Sequence, residues 1–168
     1  MKITTYEATK LTTLHMVTED LPNHLDLIKE RMLTIIDVEA PNSLGLLERR
    51  TIQSLGMKKI GRIIQELLDS FVPTLYLKYT TYNKDKFVWR NEDVPASCSL
   101  IRKTGTGINR RDAKDVPIEE AINAIKYVKE NTSLETKDEI VREAARLMGY
   151  TRLGSVVKPL FEDAYKRA

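Results

Sequence analysis

Four groups of residues in this sequence have the right types for catalysis, and each fails on spacing. The string Lys103, Thr104, Gly105, Thr106, Gly107 suggests a phosphate-cradling loop. A Walker loop, however, needs G-x-x-x-x-G-K-[ST] between a strand and a helix, so that backbone amides and the lysine converge on the phosphates. Only G-x-G is present, and no helical pattern follows closely. Glu135 and Lys137 make the E-x-K pair with which nucleases hold a metal and polarise water, but they flank Thr136 at an expected helix start, with no well-placed aspartate. His15 and His24 stand nine residues apart, and with a single cysteine the chain lacks the ligand clusters that zinc favours. Cys98 has no neighbouring histidine to hold it as a thiolate. These residues predict a protein that is not an enzyme, with no cofactor, no metal and no small-molecule substrate.

The chemistry that remains is that of cations meeting phosphate. Lys58, Lys59, Arg62 and Gln65 fall on the solvent side of one predicted helix, where Arg62 and Gln65 could reach base edges and the lysines suit phosphates. Lys84, Lys86 and Arg90 follow on a predicted hairpin, and Arg102, Lys103, Arg110 and Arg111 on the stretch after it. Arg152 and Lys158, with Thr151 and Ser155, occupy the corresponding places in a second copy of the helical pattern. Against this, Glu66 and Asp69 share a face with Lys58 and Arg62, and cations on an amphipathic helix are commonly just its solvated side. Tyr76, Tyr79 and Trp89 lie at strand spacing, which favours hairpin packing over base stacking. The 27 basic and 24 acidic residues leave a net charge of +3, which permits a nucleic-acid partner without requiring one.

The elements that must position these residues form an internal repeat. Residues 44–71 and 137–164 align without a gap at an offset of 93, placing Arg49 on Arg142, Gly56 on Gly149, Gly61 on Gly154 and Leu67 on Leu160. Apolar positions follow the same register, from Leu47 on Ile140 to Leu68 on Phe161. A match this regular marks one structural unit used twice. Ser43 and Thr136 stand at N-cap positions, and Thr136 with Glu139 spells a capping box. Gly56 and Gly149 follow the last apolar residue of the first helix of each pair, where a left-handed residue closes a turn cheaply. Gly61 and Gly154 are expected where a neighbour approaches the backbone closely. In the helix after the turn, Ile60, Ile63, Ile64, Leu67, Leu68 and Phe71 are expected on one inward face. Pro159, inside the second copy's last helix, should kink it.

An additional helix precedes each pair, at 25–38 with Leu25, Ile28, Met32, Ile35 and Ile36 inward, and at 118–128 behind Pro117. After Pro73 the pattern alternates over 75–82, turns through polar residues, and resumes at 86–90, which reads as a β-hairpin. The predicted fold is mainly α with a small β-hairpin: tandem helix-turn-helix units, the first winged-helix-like and the second wingless. The boundaries are an N-terminal arm or edge strand at 1–24, the winged unit at 25–91, a basic linker at 92–115 and a three-helix unit at 116–168. No apolar run approaches the length of a membrane span, no signal-peptide pattern opens the chain, and one cysteine excludes an internal disulfide. The expected location is the cytoplasm.

The string EAPNSLGLLERRTIQSLGMKKIGRIIQELL, the strand pair ending in FVW, and the later SLIR, VPIEEAINAI and LMGYTRLGSVV resemble the bacterial domain of unknown function 3320. The resemblance runs from about Leu25 onward and is sharpest at the L-G-x-x-[KR]-[IL]-G turn of residues 55–61 and its Met-led counterpart at 148–154. Where members of that family commonly read E-G-P-I, this chain has Glu39, Ala40, Pro41 and Asn42. The family lies toward the C-terminal end of very large superfamily I helicase-like proteins, some with an endonuclease domain. The resemblance implies a context of DNA transactions; with no ATPase motif or nuclease triad present, the chain is expected to be a non-catalytic, DNA-binding module of such a helicase-like polypeptide. The alternative is a protein-docking module that packs on the helicase or nuclease part of its own chain or on a partner.

Overall fold

The computed structural model describes residues 1–168 and is mainly helical, with two small sheets. It divides into two compact units, Ala8–Glu92 and a second made of Met1–Glu7 with Asp93–Ala168. Its strands are β1 (Lys2–Thr5), β2 (Asn42–Ser43), β3 (Lys78–Tyr82), β4 (Asp85–Trp89) and β5 (Leu100–Lys103). Its α-helices are α1 (Leu25–Glu39), α2 (Leu44–Ser54), α3 (Arg62–Phe71), α4 (Ile118–Asn131), α5 (Lys137–Leu147) and α6 (Val157–Arg167).

In the first unit, α1 buries Ile28, Met32, Ile35 and Ile36, the stripe that its spacing predicts. The chain passes a cis Ala40–Pro41 bond into β2, a two-residue strand invisible to any periodicity, and then into α2. Ser43 caps α2 through its hydroxyl, which accepts from the Leu46 amide at 3.1 Å. After α2 the turn is closed by Gly56 at φ 104°, as expected for a C′ glycine. Leu55, Ile52, Leu68 and the 3₁₀-turn residue Leu21 are fully buried around it.

Helix α3 begins one residue after Gly61, which serves as its extended N-cap, so Lys58 and Lys59 lie on the turn and not on the helix. Ile64 and Leu68, four apart, are buried, while Ile63 is carried round the axis and is 71% exposed, against the expectation that it points inward. Gly61 and Gly154 are likewise open, not crowded as the repeat predicts. A Cβ on either would meet nothing within 4 Å.

The hairpin is present, with β3 and β4 pairing antiparallel from Lys78 opposite Trp89 to Tyr82 opposite Asp85. Asn83 and Lys84 both have positive φ, the backbone of a two-residue turn whose twist matches the strands. Residues 75–77 do not join the strand; the chain leaves α3 through a 3₁₀ turn and a left-handed Tyr76. β2 adds to the other side of β4, making a three-stranded sheet in the order β2-β4-β3. Trp89 is buried in it, its indole donating to Thr80 Oγ1 at 2.8 Å.

The second unit corrects the expected boundaries. Residues 92–115 do not form a linker, because β5 pairs in parallel with β1, Lys2 opposite Leu100 through Thr5 opposite Lys103. The buried side of that pair supplies Ile101, which has no exposure, to the core beneath α4. The N-terminal arm is likewise divided, its first seven residues belonging to the second unit and the rest to the first. The α4, α5 and α6 helices pack on one another through alanines: Ala121, Ala124, Ala144, Ala145 and Ala164 are buried. Thr136 and Glu139 complete the expected capping box, and Gly149 has φ 89°. Pro159 is the third residue of α6, within the first turn, where no intrahelical donor is lost, so the expected kink does not arise.

The repeat is larger than its helices. In each unit an extended segment runs past the glycine turn: Met16 N–H donates to Leu55 O at 3.0 Å, and Thr104 N–H to Met148 O at 2.9 Å. Leu55 and Met148 correspond at the offset of 93. A Cβ on Gly56 would lie 2.3 Å from the Leu14 carbonyl oxygen, and one on Gly149 would lie 2.9 Å from Thr104 Cγ2. Positive φ and close approach by the strap therefore fall on one glycine in each unit.

Candidate nucleic-acid interface

The cations named from the sequence separate into three groups. The first is at the surface of unit Ala8–Glu92. Lys58 and Lys59 are exposed on the turn, and the Arg62 side chain is 89% exposed at the first position of α3, its Nε 3.2 Å from Glu66 Oε1. An exposed i,i+4 pair of this kind contributes little and is readily exchanged for another anion. The two lysines form a ridge between two concavities. One, of about 450 Å³, is shared with Glu48, Arg49 and Gln65; the other, of about 640 Å³, with Thr18, Arg62 and Ile63. Arg49 of α2 also lines the first of these, brought there only when the turn folds α2 against α3. Lys84 is exposed at the hairpin turn, and Lys86 Nζ stands 5.1 Å above the Tyr79 ring, a contact strongest where the ring is desolvated.

A second group is engaged within the fold. Gln65 Nε2 donates to Glu48 Oε2 at 3.2 Å and to Asp69 Oδ1 at 2.9 Å, so its amide bridges α2 and α3 and is not presented to a base edge. Burial raises the Glu48 carboxyl above its ordinary pKa, opposed by that hydrogen bond. Arg90 reaches back to the end of α1, its Nε donating to Asp37 O at 2.7 Å and Nη2 to Val38 O at 3.5 Å. It therefore caps open carbonyls at a helix C-terminus, a structural use of a guanidinium.

Arg102 and Arg111 are the plainest corrections. Arg111 is 1% and Arg102 7% exposed, and both close on Glu120 of α4, which is itself fully buried. Arg111 Nη1 and Nη2 each lie 2.9 Å from the two Glu120 oxygens. Arg102 binds the same carboxylate through its backbone N–H at 3.1 Å, its Nε at 3.0 Å and its Nη2. The Tyr6 ring lies under both guanidinium groups, 4.9 Å from Arg111 and 5.6 Å from Arg102. Tyr150 donates its hydroxyl to Arg111 O at 2.8 Å, and burial pushes that phenol up to about 12. Burial alone would raise the Glu120 pKa, but the Arg111 and Arg102 charges outweigh it and bring the carboxyl down to about 2. Such a cluster pins β1, β5 and α4 together, and neither arginine can meet an external phosphate. Nothing in the sequence pairs these residues, since an acid 9 and 18 positions downstream has no periodic relation to them.

The third group lies on the surface of the second unit. Lys103, Arg110 and Arg152 are exposed; Arg110 Nε sits 3.4 Å from Asp112 Oδ1. Lys158 Nζ lies 4.0 Å from Glu162 on the same helix. Lys114, also exposed, lines the same concavity as Arg110 and Arg152, although nothing in its sequence neighbourhood marks it as a site residue. Burial raises the Cys98 thiol pKa, and no three His, Cys, Asp or Glu side chains converge as a metal set would. No helix is long and apolar enough to cross a membrane. No family model matches the chain, and neither a curated protein nor a solved structure matches it.

Proposed function

We propose that the chain is a non-catalytic nucleic-acid-binding module, with DNA as its partner, and that its first unit works as a winged helix. The observation that carries this reading is the exposed set Lys58, Lys59 and Arg62, held within five residues at the turn and start of α3. The element order α1, β2, α2, α3, β3, β4, with β4 central in the sheet, is the order a winged helix uses, and it supports the reading as a likeness of fold. In such a unit the third helix enters the major groove and the hairpin meets the flanking backbone. Lys58 and Lys59 then contact phosphates, Arg62 reaches a base edge, and Lys84 and Lys86 touch the backbone from the wing.

The magnitude is modest. The first unit holds twelve basic and eleven acidic side chains, so attraction comes from the local cluster and not from a general field. About four phosphates neutralised gives a slope of log K against log salt of roughly −3 to −4, and micromolar affinity with slight sequence preference. Fluorescence anisotropy of a labelled 20-base-pair duplex and its single strand, at low and moderate salt, tests this. Lys58→Glu, Lys59→Glu, Arg62→Glu together should abolish binding in a folded sample. Absence of salt-sensitive binding to either probe would remove the proposal.

A second reading has its own observation. Ile63 is 71% exposed beside Arg62, and an exposed branched aliphatic on a helix suits a protein partner. On that reading the unit docks on the helicase or nuclease part of a longer polypeptide or on a partner subunit. Both readings agree with the proposal, resting on the two L-G-type turns, that this chain is kin to the helicase-associated domain of unknown function 3320 and acts in a bacterial cytoplasm.

A further inference from the structure

The second unit has its own concavity at the place the Lys58 ridge occupies in the first. At the offset of 93, Lys59 corresponds to Arg152 and Ile63 to Val156, and both pairs line an open depression beside the glycine turn. The two depressions are alike in size, about 640 and 680 Å³, within the range of small-ligand sites. They differ in the facing wall. In the first unit Thr18 stands there; in the second it is the loop of residues 104–114, which brings Arg110 and Lys114 to the same space as Arg152.

All three cations are exposed. The acid on the rim, Asp112, lies against Arg110, and Arg111 is turned inward to share the Glu120 carboxylate with Arg102, so Lys114 and Arg152 leave the depression positive. The wall is also fixed in shape before any ligand arrives. Gly105 N–H donates to Asn109 O at 2.9 Å, Arg110 N–H to Gly107 O at 3.1 Å and Arg111 N–H to Thr104 Oγ1 at 2.8 Å. A Cβ on Gly107 would meet nothing within 4 Å, so the backbone there is open to approach. A preformed wall lowers the ordering cost of binding.

We infer that this depression is a phosphate-binding site, gripped chiefly by Lys114 and Arg152 with Arg110 at the rim. The phosphate belongs either to a nucleic-acid strand or to a free phosphorylated molecule. The site stands on its own geometry and does not depend on what the first unit binds.

Amide chemical shifts of the isotope-labelled full chain, titrated separately with inorganic pyrophosphate and with a short oligothymidylate at low salt, test it. The expected result is concerted movement of the Thr106, Gly107, Lys114, Thr151 and Arg152 amides. The pair Lys114→Glu, Arg152→Glu should weaken that response at least ten-fold with the remaining spectrum intact, whereas Lys114→Arg, Arg152→Lys should preserve it. The charge reversals at Lys58, Lys59 and Arg62 should leave it unchanged, which separates this site from the first unit's. Oligothymidylate binding ten-fold tighter than pyrophosphate identifies a strand; similar affinities identify a free phosphate. No movement of these amides with either probe, or movement undiminished by the charge reversal, overturns the proposal.

Discussion

The carbonyl oxygen of Leu14 occupies the place where a Gly56 side chain would begin, 2.3 Å from the ideal Cβ. The strap is held there by hydrogen bonds from Leu14 N–H to Ser54 O at 2.9 Å and from Met16 N–H to Leu55 O at 3.0 Å. Gly56→Ala therefore meets both a positive φ and an immovable backbone atom, and should cost about 2 kcal/mol or more. At Gly149 the nearest obstacle is the Thr104 methyl, which can move only by turning Thr104 Oγ1 away from the Arg111 amide, so with its positive φ Gly149→Ala should cost about 1 kcal/mol or more. Urea denaturation followed by Trp89 fluorescence reports the first unit, which holds the single tryptophan, and far-UV circular dichroism reports both.

Glu120 gives the second unit its acid sensitivity. Its pKa in the folded state is depressed to about 2 from an ordinary 4.5, so the folded protein binds the proton less well than the unfolded chain. The stability this provides is complete above about pH 4.5 and is lost as pH falls through about 2, amounting to about 3 kcal/mol. Glu120→Gln leaves Arg111 buried without its counter-charge and should cost about 3–5 kcal/mol at neutral pH. It should also flatten the acid limb of a melting-temperature profile taken from pH 7 to 2. A variant whose acid limb matches that of the parent would show the cluster to be silent.

Arg90 should behave as a structural residue. Arg90→Ala removes the donors to Asp37 O and Val38 O and should destabilise the first unit by about 1 kcal/mol, while duplex affinity stays within two-fold. A drop in affinity as large as that produced by reversing Arg62 would return it to the interface.

Ile63→Ala separates the two readings of the first unit. With 71% of the residue exposed, folding stability should change by less than about 0.5 kcal/mol. Under the nucleic-acid proposal, affinity for the duplex should also change little, because the charges remain. If Ile63 is the centre of a protein interface, the same substitution should leave duplex titrations untouched and weaken capture of a helicase-like partner fragment.

Local signals were readable and non-local ones were not. The α1, α2, α4 and α5 stripes, the Ser43 and Thr136 caps and the two turn glycines follow from spacing within a few residues, and all are present. The inward face of α3 is narrower than the spacing predicts, because Ile60 precedes the helix and only Ile64 and Leu68 are buried, leaving Ile63 on the exposed edge. The parallel pairing of β1 with β5 joins residues nearly a hundred apart and leaves no periodic trace. Glu120 is likewise what turns Arg102 and Arg111 from apparent linker cations into core. Of the candidate site, the Lys58, Lys59 and Arg62 surface was legible as exposed charge on a helical pattern, whereas the depression at Lys114 and Arg152 exists only once the loop folds against the second glycine turn.

The pairing of β1 with β5 also orders events in time. A chain emerging from its N-terminus presents β1 first, yet the hydrogen-bonding partner of that strand is not made until Leu100–Lys103 follow. Everything required for Ala8–Glu92 is complete by then, so that unit can fold while β1 waits as an unpaired edge. Closing so long a loop costs little more than closing one of half the length, about 0.6 kcal/mol. In the order of synthesis the unit Ala8–Glu92 is therefore complete before the strand that pairs with β1 exists.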